Sequence, residues 1–105
     1  MNKNTAEIIL DFINGFKSFD KLVVEALFSQ GYCYWFAVIL SQRFGGIIYY
    51  LPVSNHFITK IDDAYFDIHG EYTVNEPCYS WSEYKMIDAM DYKYVVKYCV
   101  YKEHD

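Results

Sequence analysis

The chain has too few cysteines, in the wrong places, for a small fold built on disulfides or a structural metal. There are three among 105 residues, Cys33, Cys78 and Cys99. The number is odd and no two form a CxxC pair, so neither a disulfide framework nor a zinc finger fits. A set made of Cys33, His56, His69 and Cys78 lacks the close ligand spacing of a zinc site, and no metal or organic cofactor is expected. Long apolar runs are also missing. None approaches the length needed to span a bilayer, and the opening Met1-Asn2-Lys3-Asn4-Thr5 lacks the layout of a secretory leader. Basic residues are scarce: nine Lys and Arg stand against fourteen Asp and Glu, a formal charge of −5. Between Asp62 and Asp91 eight acids face only Lys85, a net of −7. Such a stretch repels phosphate, which argues against nucleic-acid binding, and suits a basic protein partner instead. Repeats, linkers and low-complexity tracts are absent. These absences point to a cytoplasmic protein with reduced thiols and no membrane role.

What is present is apolar and aromatic. With 53% hydrophobic residues the chain can bury a core, and its length suits one domain over 1–105. Most of the twelve tyrosines are expected to frame the core and its edges. Their polar tips favour a half-exposed binding surface, for which Tyr49, Tyr50, Tyr65 and Tyr72 are the candidates.

The hydrophobic period divides the chain. Asn4 or Thr5 caps a first helix with Ile8, Ile9, Phe12 and Ile13 at helical spacing, ended by Asn14-Gly15. Asp20 caps a second, with Leu22, Val23, Ala26 and Leu27 as its buried stripe. A third runs from Cys33 to about Arg43, apolar on nearly every side, and stops at Gly45-Gly46. Strands follow at 47–51, 55–61 and 64–68, with Asp62-Asp63 as a hairpin turn. Gly70 breaks the last of these, and 72–74 extends it after a bulge. Ser80-Trp81-Ser82-Glu83 reads as a capping box opening a helix to about Met90. In the final segment Tyr92, Val95, Val96 and Cys99 fit a helical stripe, while Tyr94, Val96, Tyr98 and Val100 fit strand alternation; the balance tips to helix. Helices first and a small antiparallel sheet second make an α+β fold.

Three residues on these elements carry chemistry. A two-residue turn at 62–63 pairs Ile61 with Ala64 and sets His56 and Asp67 on one face as diagonal neighbours, roughly 7 Å apart at Cβ. Phe57, Ile61, Phe66 and Ile68 then fall on the other face, which suits a core. Cys33, in the first turn of its helix, sits among unpaired N–H groups at the positive end of the dipole, where a thiolate is favoured. A thiol, an imidazole and a carboxylate in this order suffice for acyl transfer, with Cys33 as nucleophile, His56 as base and Asp67 as orienting group. Gln30, one turn earlier, is placed to donate to an oxyanion. His69 shares the face and is the alternative base. Cys78 and Cys99 read as structural.

The segment Gly31-Tyr32-Cys33-Tyr34-Trp35-Phe36-Ala37, followed by His56 and by Tyr65-Phe66-Asp67-Ile68-His69-Gly70, resembles the papain-like superfamily. It is most similar to the transglutaminase-like and cell-wall endopeptidase branches, and also resembles short proteins of bacteria and their phages. The resemblance covers residues 30–70. It implies a minimal papain-like fold and assigns the same nucleophile, base and orienting residue. The expected activity is a cysteine hydrolase or acyltransferase acting through a thioester on a peptide, amide or small acyl substrate. The alternative is a non-catalytic, acidic, tyrosine-rich binding protein, such as a phage-encoded inhibitor of a host defence enzyme.

Overall fold

A computed structural model describes residues 4–18, 20–30 and 32–101, with the side chains at 26, 27, 29 and 30 outside the described set. Asn4 opens the first helix, α1 (Thr5–Lys17): its carboxamide oxygen accepts the N–H of Glu7 at 2.8 Å. Gly15 does not end this helix as expected. The Phe16 ring packs edge-on against Phe28 and Phe36, which holds another turn in place, and the N–H and hydroxyl of Ser18 then close on the carbonyl of Gly15. Asp20 accepts the N–H of Val23 at the start of α2 (Lys21–Gln30). The expected stripe of α2 is out of phase. Leu22 and Val23 are 79% and 59% exposed, and Val24 and Phe28, one turn apart, face the core. Ala26 and Leu27 lie outside the described side chains.

The third helix, α3 (Cys33–Phe44), stops where Gly45 takes φ +75°, a conformation that glycine adopts without a Cβ penalty. Gly46 matters for space rather than for its backbone angle. A Cβ there would meet the carbonyl oxygen of Lys60 at 2.6 Å and Ile61 Cγ1 at 2.7 Å. Gly46→Ala is therefore expected to cost about 1 kcal/mol or more, as overpacking does, seen as an earlier urea midpoint with unchanged slope.

The sheet is antiparallel, in the order β4-β3-β2-β1-β5: β1 (Ile47–Leu51), β2 (His56–Ile61), β3 (Ala64–Asp67), β4 (Gly70–Tyr72) and β5 (Tyr79–Ser80). Ile61 pairs with Ala64, Lys60 with Tyr65 and Thr59 with Phe66, the register expected of a two-residue turn. Two details differ from expectation. The chain after Asp67 turns back to pair Gly70 with Asp67, so 70–72 is a separate strand rather than a bulged extension. The two-residue β5, too short to carry a period, pairs Tyr79 with Tyr50.

Helix α4 (Trp81–Ile87) follows, with the Ser80 hydroxyl donating to the Glu83 carboxylate at 2.7 Å. It ends before Met90 because Asp88 leaves helical geometry and caps α5 (Ala89–Val95), accepting the N–H of Asp91 at 3.0 Å. A π-helical turn, Val96–Val100, completes the segment, so the helical reading of 92–101 holds.

The layers follow from strand alternation. One sheet face carries Phe57, Thr59, Ile61, Phe66 and Ile68. Ile9 and Ile13 of α1 and Phe36 and Leu40 of α3 pack on its lower half, and Tyr84, Val95 and Val100 join Tyr50 and Phe57 at the other. Buried Thr59 donates to the carbonyl of Ala37 at 2.9 Å, pinning α3 to β2. The opposite face carries His56, Ile58, Lys60, Tyr65 and Asp67. The fold is α+β. Among the described residues no helix is long and apolar enough to cross a membrane.

Candidate active site

The start of α3 is poorly capped by side chains. Tyr32 occupies the cap position and makes no side-chain bond to the helix, so the first N–H groups remain available. Cys33 exploits this. Its thiol is half-buried, beside His56 and the backbone of Tyr34 and Phe57. Burial opposes a charged sulfur, but the bond from His56, the Phe57 N–H, the imidazolium charge and the Tyr34 N–H together outweigh it. The thiol pKa lies below its ordinary value.

His56 begins β2 and lies between two acids. Its Nε2 is 3.0 Å from Asp67 Oδ2. Burial works against the imidazolium, yet the hydrogen bonds and charges of Asp67 and Cys33 prevail and lift the His56 pKa to about 9. Asp67 is 7% exposed and its second oxygen, Oδ1, accepts the N–H of His69 at 2.8 Å. Both carboxylate oxygens are thus engaged, which fixes the carboxylate plane and through it the imidazole. The Tyr72 ring, 5.6 Å from that of His56, borders the site on the β4 side.

The diagonal register expected from the hairpin turn therefore brings His56 and Asp67 together, and α3 supplies Cys33 from the edge of the sheet. The His69 ring goes elsewhere. Its Nδ1 is 3.5 Å from Glu25 Oε2, a carboxylate that also meets Lys17 at 3.3 Å, and its backbone N–H is what reaches Asp67. The Gln30 side chain lies outside the described residues. Among the described residues no cluster of three or more His, Cys, Asp or Glu has the arrangement of a metal site.

The tyrosine candidates divide. Tyr49 and Tyr65 are half-buried on the open sheet face, edge to face at 5.5 Å, with Lys60 Nζ 6.0 and 5.8 Å from their rings; Tyr72 lies on the same face. Tyr50 does not belong with them. It is 2% exposed, packed among Phe57, Trp81 and Tyr84, with its hydroxyl donating to Asn55 Oδ1 at 2.7 Å. Pairing with Phe57 turns it into the helix layer.

Sequence reasoning missed Asn55, which adopts φ +51° immediately before His56 and places its amide Nδ2 3.4 Å from Cys99 Sγ. The available signal was an asparagine, tolerant of left-handed backbone, at the mouth of a strand. It also missed the indole of Trp35, which donates to the carbonyl of Val100 at 3.0 Å and ties the first turn of α3 to the C-terminal segment.

A family model described as Phage YunG-like protein matches residues 9–99, which include Cys33, His56 and Asp67. No curated protein and no solved structure matches the chain.

Proposed function

The chain belongs to the Phage YunG-like protein family, and we propose that it is a cysteine hydrolase or acyltransferase with Cys33 as nucleophile. One observation carries the reading: a single imidazole, His56, is shared between a thiol of lowered pKa and a buried, doubly bonded carboxylate. It is the arrangement expected of the papain-like enzymes that residues 30–70 resemble.

The chemistry follows from the charges. The lowered thiol pKa and the raised imidazole pKa favour passing the thiol proton from Cys33 to His56. The sulfur attacks the carbonyl carbon of an amide or small acyl group, and the carbonyl oxygen takes up the negative charge. N–H groups in the first turn of α3 supply the donors for that oxygen. As the C–N bond breaks, His56 gives its proton to the leaving amine, and Cys33 holds the acyl group as a thioester. Water then attacks, His56 takes its proton, and the acid is released; an amine in place of water makes the step a transfer. Asp67 holds the ring in register.

The test is the pH dependence of iodoacetamide alkylation at each cysteine, read by peptide mass spectrometry. Cys33 is expected to react well below pH 8, and His56→Ala to slow it about tenfold at neutral pH by returning the thiol towards its ordinary pKa. A Cys33 as slow as Cys78 and indifferent to His56 would remove the basis for this function.

The helix-free tyrosines favour a second reading. Tyr49 and Tyr65 around Lys60, with Tyr72 on the same face and the acidic 62–91 stretch, suit a binding protein such as a phage-encoded inhibitor of a basic host enzyme. The readings diverge at Cys33→Ala: an inhibitor keeps its effect on its target, and an enzyme loses its turnover.

A further inference from the structure

The nucleophile has a second sulfur in its neighbourhood. Cys33 at the start of α3 and Cys99 in the π-helical turn pack against the same cluster of Tyr50, Phe57, Val95 and Val100. The two segments are fastened together by the Trp35 indole and the Val100 carbonyl at 3.0 Å, the first two residues from Cys33 and the second next to Cys99. Cys99 Sγ also lies 3.4 Å from Asn55 Nδ2, and Asn55 immediately precedes the His56 that engages Cys33. Both sulfurs are therefore at the same end of β2, on the helix side of the sheet. Cys78 is not: it contacts Tyr65, on the other face.

We propose that Cys33 and Cys99 form a hydroperoxide-reactive dithiol, in which Cys33 is oxidised first and Cys99 then closes a disulfide with it. The Cys33 thiolate attacks one oxygen of a hydroperoxide. The S–O bond forms, the O–O bond breaks, and the departing oxygen takes the proton from His56 to leave as water or an alcohol. Cys33 is then a sulfenic acid. The Cys99 sulfur attacks the Cys33 sulfur, the S–O bond breaks, and hydroxide leaves as water with the proton that Cys99 gives up. Two electrons pass from the two sulfurs to the peroxide, and an added thiol reductant returns both cysteines to the thiol.

Local structure supports the second step. The Asn55 amide is held by the Tyr50 hydroxyl at 2.7 Å, and its Nδ2 and Oδ1 lie 3.4 and 3.7 Å from Cys99 Sγ, which fixes the position of that sulfur beside the start of β2. Cys99 also sits in a π-helical turn. The Tyr101 N–H reaches back five residues to the Val96 carbonyl at 3.0 Å, and tightening this π turn to α-helical spacing swings Cys99 without unfolding the helix. The inference rests on the same reactive Cys33 as the acyl-transfer reading but needs no acyl substrate.

Reduced full-length protein treated with one equivalent of hydrogen peroxide, blocked with N-ethylmaleimide and digested without reductant gives the answer. A peptide joining Cys33 to Cys99 is expected to dominate, with Cys78 carrying maleimide. In Cys99→Ser, and in Cys99→Ala should the serine variant fold poorly, dimedone labelling of Cys33 is expected to rise about tenfold because the sulfenic acid has no internal partner. Wild-type Cys33 recovered as sulfenic or sulfinic acid with Cys99 blocked by maleimide overturns the dithiol, as does linkage to Cys78 or to a second molecule. If Cys33 alkylates fast yet never links to Cys99, only this inference falls; if it is inert to both reagents, the acyl-transfer reading falls with it.

Discussion

Asp67→Ala is expected to lower stability by about 3 kcal/mol, near the bottom of the range for breaking a buried ion pair. Two groups lose their partner at once: His56 Nε2 at 3.0 Å and the His69 N–H at 2.8 Å. The loss is capped because an imidazole without its carboxylate sheds its proton instead of remaining a buried unpaired cation. Asp67→Asn should cost less, since its carbonyl oxygen still accepts the His69 N–H. Both variants should slow Cys33 alkylation at neutral pH, because a neutral His56 no longer holds the thiolate. Urea unfolding at pH 7 together with the alkylation rate tests this. If Asp67→Ala were as stable as the wild type, the carboxylate would be solvated and would not be part of a fixed relay.

The same pair of residues shows how far the sequence alone could lead. The β2–β3 register was legible because Phe57, Ile61, Phe66 and Ile68 alternate cleanly around a turn only two residues long. That single fact sets His56 beside Asp67, and the helix opening at Cys33 supplies the thiol. Elsewhere the pattern was mute. Ile47-Ile48-Tyr49-Tyr50-Leu51 is apolar at every position, so no alternation tells which tyrosine faces the helices; Phe57, Trp81 and Tyr84 decide it by enclosing Tyr50. Helix α2 carries apolar residues on more than one side, and its phase is set by where Phe28 meets Phe16 and Phe36. Asn55 and Cys99 are 44 residues apart, and only the packing of the C-terminal helix against β2 and α3 brings them together.

Cys33→Ser is expected to change the way stability depends on pH, and the direction follows from two opposed shifts. The His56 pKa is about 9 in the folded protein against an ordinary 6.5. Its contribution is fully present below pH 6.5 and is lost as pH rises through about 9. Cys33 behaves in the opposite sense. Its folded pKa lies below the ordinary 9.0, so its contribution is present above pH 9.0 and is lost as pH falls through the lowered value. The two limbs oppose each other where they overlap, so Cys33 offsets part of the pH dependence that His56 alone would give. Serine removes the compensating limb. Asp67 still holds His56 in the charged form, so the variant should lose about 2 kcal/mol of stability between pH 6.5 and 9 relative to its own value at the acid end. Urea titrations of both proteins across that range make the comparison, and groups common to both cancel in the difference. Adding Asp67→Asn should flatten the variant's profile again, because nothing then raises the His56 pKa. A level profile in Cys33→Ser alone would mean that His56 is neutral throughout, and the thiolate–imidazolium pair would have no counterpart in solution.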